Sequence, residues 1–78
     1  MEELRSVAWR CRRGALELDL VLSRFLESGY TQLQSEEKQT FSKLLEEQDP
    51  LLLEWLMGRS LPENKKLAAI VKKIRDKN

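Results

Sequence analysis

The residues able to do chemistry are concentrated in Trp9-Arg10-Cys11-Arg12-Arg13-Gly14-Ala15-Leu16-Glu17-Leu18-Asp19-Leu20. The types present favour recognition over turnover. The chain has no histidine, so the commonest general base and the commonest metal ligand are both missing. Its single cysteine, Cys11, excludes an internal disulfide. Cys11 reads as a small packing residue. Neighbouring arginines would lower a thiol's pKa, but no base stands ready to use it. Glu17 and Asp19 are two apart, so on a helix they point roughly 200° from each other, a poor acid–base pair. No glycine-rich phosphate loop and no clustered metal ligands occur. An independent enzyme is therefore not expected.

On a helix Arg13 and Glu17 would share a face, and a continuous helical path would add Arg10 to the same stripe. Gly14 interrupts that path. Glycine inside a helix costs about 0.5–1 kcal/mol relative to alanine, so it needs a reason. It can end the first helix in a left-handed cap, or its missing side chain can admit a partner's backbone, and the two are compatible. The cluster supports three readings. The blandest is a surface ion pair between Arg13 and Glu17, worth ~0–1 kcal/mol, with Asp19 serving only the helix dipole. The second is a nucleic-acid or antitoxin-type regulatory surface, in which Trp9 stacks and Arg10, Arg12 and Arg13 hold phosphates. Against it, Glu17 and Asp19 repel a phosphate backbone, and a net charge of +1 gives little steering. The third is a protein-binding patch of Trp9, Arg10, Arg13, Gly14, Glu17 and Asp19. Arginine and tryptophan are enriched at interface hot spots, and Arg13 offers a planar fork to carboxylates or carbonyls. The third reading leads.

The rest of the chain must position that patch. With 78 residues, 41% apolar and 35% charged, it suits one small globular domain spanning 1–78. Such a domain gains no more than about 3–5 kcal/mol from its core. Residues 2–12 read as a first helix with Leu4, Val7, Ala8 and Cys11 inward. Residues 15–28 read as a second, central helix. Leu18, Val21, Leu22, Phe25 and Leu26 keep its spacing, Leu16 and Leu20 widen its apolar stripe, and Gly29 follows as a cap. A third helix is expected from an N-cap at Ser35 to about Gln48, with Phe41, Leu44 and Leu45 inward and Tyr30 and Leu33 packed near its start. Asp49-Pro50 reads as a capping aspartate with proline at the first helical position. It opens a short fourth helix, about 50–57, ended by Gly58. Pro62 or Glu63 opens a fifth, built on Leu67, Ile70, Val71 and Ile74 and decorated by solvated lysines. The expected fold is all-α, a small bundle of five short helices. No apolar run approaches the ~20 residues of a membrane span. The acidic, mixed start is unlike a secretory signal. A reducing cytoplasmic setting and a monomeric free form are expected, although an exposed Trp9 could drive self-association.

With these elements in place, the chain resembles the succinate dehydrogenase assembly factor family, the SdhE-like flavinylation factors. The first shared motif is Arg-Gly-x-x-Glu, present as Arg13, Gly14 and Glu17. The second is an acidic-Pro turn followed by Trp-Leu-Met, present as Asp49-Pro50 and Trp55-Leu56-Met57, and Pro62 matches the last linker. Family members often carry methionine after the glycine, where this chain has Ala15, and some have a longer tail beyond the position of Asn78. The resemblance implies a chaperone-like role without turnover. The partner would be the flavoprotein subunit of succinate dehydrogenase or a related fumarate reductase. FAD would be carried and covalently bound by a histidine of that partner, with no cofactor, nucleic acid or membrane bound by this chain. Arg13, Gly14 and Glu17 would dock near the flavin site, bordered by Trp9, Arg10 and Asp19.

Overall fold

A computed structural model of the chain describes residues 2–78, with side chains from Arg5 onward. Among the described residues there are five α-helices and one 3-10 turn, and no strand. They are α1 (Glu2–Arg10), α2 (Leu16–Ser28), α3 (Ser35–Leu44), α4 (Asp49–Leu56) and α5 (Lys65–Asp76), with the 3-10 turn Tyr30–Gln32 between α2 and α3. The all-α expectation holds. No helix of the described residues is long and apolar enough to cross a membrane.

α2 is the central strut because its inward residues repeat at helical spacing. Leu18, Leu22 and Phe25 are buried along one face and meet α4, α5 and the 3-10 turn. Phe41 of α3 lies between two other rings, its centroid 5.4 Å from Phe25 and 5.5 Å from Tyr30. Both tilted pairs add to the area term. α5 closes the bundle with Ile70, Val71 and Ile74, all buried, and packs on α2, α3 and α4. Each such fully buried aliphatic or aromatic side chain contributes about 1.5–3 kcal/mol before conformational entropy is charged against it. Glu37 on α3 accepts from the Lys73 side chain and from the Gln34 backbone N–H. The Lys73 hydrogen bond first, then the Gln34 bond, hold its carboxyl below the ordinary glutamate range.

Several boundaries differ from those expected. α1 stops at Arg10, and residues 12–15 are non-helical, so Arg10, Arg13 and Glu17 do not form one helical stripe. Of the core face expected for α1, Val7 and Cys11 are buried and Ala8 half-buried; Leu4 lies outside the side chains described. α3 ends at Leu44 instead of running to Gln48. Its N-cap is Gln34, in a reciprocal box with Glu37, instead of Ser35. Asp49 is the first residue of α4, not its cap; Gln48 takes that place without a side-chain bond. α5 starts at Lys65, two to three residues later than expected. The Asn64 side chain accepts from the N–H groups of Lys66 at 2.9 Å and Leu67 at 3.1 Å, which satisfies two of the helix's open donors.

The largest correction concerns α2. Leu16 is 75% exposed and Leu20 47% exposed. At 100° per residue they lie roughly 160–200° around the helix from Leu18, so they cannot share its face.

Gly29 has an ordinary negative φ of −133°; its reason for being glycine is space. A Cβ there would sit 2.6 Å from Phe25 Cε1 and 3.0 Å from Cδ1, against a ring that is 1% exposed and cannot step aside. Gly29→Ala is expected to lower the urea unfolding free energy by about 1–3 kcal/mol through overpacking, with helical circular dichroism retained below the transition.

Candidate functional site

The segment between α1 and α2 is held from both sides by Arg13. Its backbone N–H donates to Asp19 Oδ1 at 2.7 Å, which ties the linker to the first turn of α2. Its side chain reaches the opposite way, to the turn between α3 and α4. There Nε donates to Asp49 Oδ1 at 2.8 Å, and Nη1 to the Leu45 carbonyl at 2.6 Å and the Arg10 carbonyl at 3.4 Å. Nη2 donates to the Glu47 carbonyl. The side chain is 15% exposed.

Arg10 works alongside it. Its Nη1 and Nη2 donate to Ser42 Oγ at 2.6 Å and to the Ser42 carbonyl at 2.7 Å. The two arginines therefore occupy carbonyls in and just beyond the last turn of α3. A helix leaves its final carbonyls unpaired and carries partial negative charge at that end. Two guanidinium groups meet both needs at once. Of the carbonyls in the last turn of α3, those of Phe41, Lys43 and Leu44 accept from the N–H groups of Leu45, Glu46 and Glu47, and that of Ser42 accepts from Arg10, as the chain turns through 45–48 into α4.

Gly14 occupies the middle of the held segment at φ +79°, in the left-handed region. A Cβ there would meet no heavy atom within 4 Å. The conformation favours glycine, and the open space around it faces outward. The left-handed cap reading is met in conformation, though Gly14 falls in the linker, beyond the end of α1. Glu17 is exposed on the first turn of α2, with its charge well placed for the helix dipole. The Arg13–Glu17 surface pair of the blandest reading does not form, because Arg13 pairs with Asp49.

The six residues singled out from sequence thus fall into two groups. Trp9, 73% exposed, Gly14 and Glu17 are outward. Arg10, Arg13 and Asp19 are half-buried and bonded within the fold. Two further outward residues, Leu16 and Leu20, belong by sequence to the apolar stripe of α2. Together with Ala8, Arg12 and Leu26 they line an open groove of about 480 Å³ beside the linker. The signal for them was present in the angular position of Leu16 and Leu20 on α2. Asp49 reads from sequence as a cap, and spacing alone does not name Arg13 as its partner. For phosphate binding the cluster offers less than its composition suggests, since the guanidinium groups of Arg10 and Arg13 are committed to internal acceptors.

Cys11 Sγ is no nucleophile in this setting. Burial pushes its pKa up to about 11, outweighing the opposing charges of Arg13 and Arg10.

The helical scaffold thus braces one glycine-centred linker and leaves tryptophan, leucine and glutamate near it in the chain exposed. The chain belongs to the family described as flavinator of succinate dehydrogenase, whose model matches residues 5–78. It is 44% identical over 70 residues to the FAD assembly factor SdhE of Coxiella burnetii, covering 90% of this chain and 85% of that one. It is 45% identical over 73 residues to the FAD assembly factor SdhE of Vibrio cholerae, covering 94% and 85%. For the FAD assembly factor SdhE of Aliivibrio fischeri the identity is 43% over 77 residues, covering 99% and 90%.

Arg13→Ala strands Asp49 and the Leu45 and Glu47 carbonyls, and should cost about 2–3 kcal/mol in urea unfolding. Arg13→Lys keeps the charge without the fork and should recover less than half of that. Cys11 should resist alkylation at pH 8 in the folded chain and react fully in urea, as read by mass spectrometry. Its folded pKa lies above the ordinary value of 9.0, so the folded thiol keeps its proton where the unfolded one loses it. That contribution to stability is complete below pH 9 and falls as pH rises toward about 11.

Proposed function

We propose that this chain is an assembly factor that docks on the flavoprotein subunit of succinate dehydrogenase, or of a related fumarate reductase, and promotes covalent attachment of FAD to a histidine of that subunit. It acts in the cytoplasm as a monomer and supplies no reacting group. The flavin and the attaching histidine both belong to the partner, in keeping with a sequence that has no histidine. Family membership and the relatives' names support the flavin assembly role.

The observation that carries the site is the open, left-handed Gly14 between exposed Trp9 and exposed Leu16 and Glu17. A backbone can approach Gly14 without meeting a side chain. Trp9 before it and Leu16 after it in the chain offer exposed apolar area, and Glu17 offers an acceptor. Arg10, Arg13 and Asp19 hold this surface in place from behind. A platform of fixed shape can hold a mobile region of the flavoprotein so that its histidine and flavin meet in reactive geometry, and orientation of that kind accounts for large rate gains without a catalytic group.

The test combines a pull-down of the flavoprotein subunit with in-gel flavin fluorescence. Glu17→Ala and Gly14→Ala should each lower covalent flavin several-fold while helical circular dichroism is unchanged. Neither removes an internal contact, and an alanine in the left-handed conformation at position 14 costs about 1–2 kcal/mol. Full flavin incorporation with both variants would remove the site assignment. Binding to mixed RNA or DNA that falls steeply with salt would favour the nucleic-acid alternative instead.

A further inference from the structure

The carboxylate of Asp49 lies in α4, far along the chain from the linker, yet it is the charged partner that the Arg13 side chain meets. It makes no cap for its own helix. The N-cap position of α4 belongs to Gln48, and no side chain closes that end. Aspartate in a first helical turn already benefits from the dipole, but its bond to Arg13 Nε has a separate consequence. Arg13 is anchored at its backbone by Asp19 and at its side chain by Asp49 and two turn carbonyls. The neighbouring Gly14 has nothing packed where its side chain would be. Hydrogen bonds through Arg13 therefore hold the linker where packing at Gly14 does not.

We propose that Asp49 is a positioning residue for flavin attachment, acting through Arg13 to fix the backbone of residues 12–16 on which the docking surface depends. The inference rests on the function proposed above and adds to it a residue outside the Arg13–Glu17 segment. Bonds to charged groups are stronger than neutral ones. Asp49→Asn keeps the shape and one acceptor oxygen but removes the charge, so Arg13 retains its carbonyl partners and loses its strongest hold.

The experiment uses the full chain in three forms besides the native one: Asp49→Asn, Arg13→Gln and the double variant. All are assayed at a temperature where circular dichroism shows them folded. Amide hydrogen exchange is read at residues 12–16 and in α5. The rate of covalent flavin formation on the flavoprotein subunit is read as a function of chain concentration. Asp49→Asn should speed exchange in the linker about ten-fold, the scale of one lost charged hydrogen bond, with α5 unchanged. It should also raise the concentration needed for half-maximal flavin formation several-fold, with the maximal rate preserved. In the Arg13→Gln background the same change should add little, because the path through Arg13 is already cut.

Unchanged linker exchange in folded Asp49→Asn overturns the proposal, and so do effects that add fully in the double variant. Faster exchange with native flavin formation also overturns it, provided that Glu17→Ala, run in parallel, is impaired. Should Glu17→Ala and Gly14→Ala also flavinylate normally, the failure lies with the proposed docking surface. In that event the exchange data still decide whether Asp49 orders the linker.

Discussion

One guanidinium group holds three parts of this chain together. Arg13 lies between α1 and α2 and spends its donors on Asp49, on the Leu45 and Glu47 carbonyls and on the Arg10 carbonyl. An arginine withdrawn this far from water is tolerable only when its N–H groups are met. Here they are met by the Asp49 carboxylate and by the carbonyls of Arg10, Leu45 and Glu47. The arrangement pins the turn that follows α3, a helix of only ten residues. It also sets the path of the linker and the direction in which α4 departs.

The helical core was readable in advance because it rests on periodicity. Leu18, Leu22 and Phe25 in α2 and Ile70, Val71 and Ile74 in α5 declare their buried faces by spacing alone, and all six are buried. Where helices end was harder to read. The turn after α3 is pinned by donors from arginines remote in sequence, Arg10 on Ser42 and Arg13 on the Leu45 and Glu47 carbonyls, and no local signal at 45–48 reports that. Leu16 and Leu20 were misplaced for another reason. Counting apolar residues makes α2 look broad-faced, whereas their angle sets them opposite the core. Within the candidate site, residue types were legible and roles were not. Arg10 and Arg13, which look like contact residues, turn inward while Arg12 stays exposed, and Leu16 and Leu20, which look like core, turn out.

That reversal gives the site its physical logic. Surface arginines on long flexible side chains pay entropy to hold a partner. Internal arginines pay it once, during folding, and present a linker whose shape is already set. Preorganisation of this kind lowers the cost of binding. On the docking surface we propose, the outward groups then need only to match: tryptophan and leucine for area, a glycine for clearance, a glutamate for a partner's donor. The surrounding core is small, so the brace contributes to stability as well as to shape, and loss of the brace weakens both.

The two tryptophans sit in opposite surroundings. Trp55 is packed in the core at 6% exposure, while Trp9 stands in water at 73%. Native emission is therefore a sum of a short-wavelength component from the interior and a long-wavelength one from the end of α1. Anything that covers Trp9 moves only the second, so the chain carries an intrinsic optical reporter of contact, with an internal standard for folding beside it.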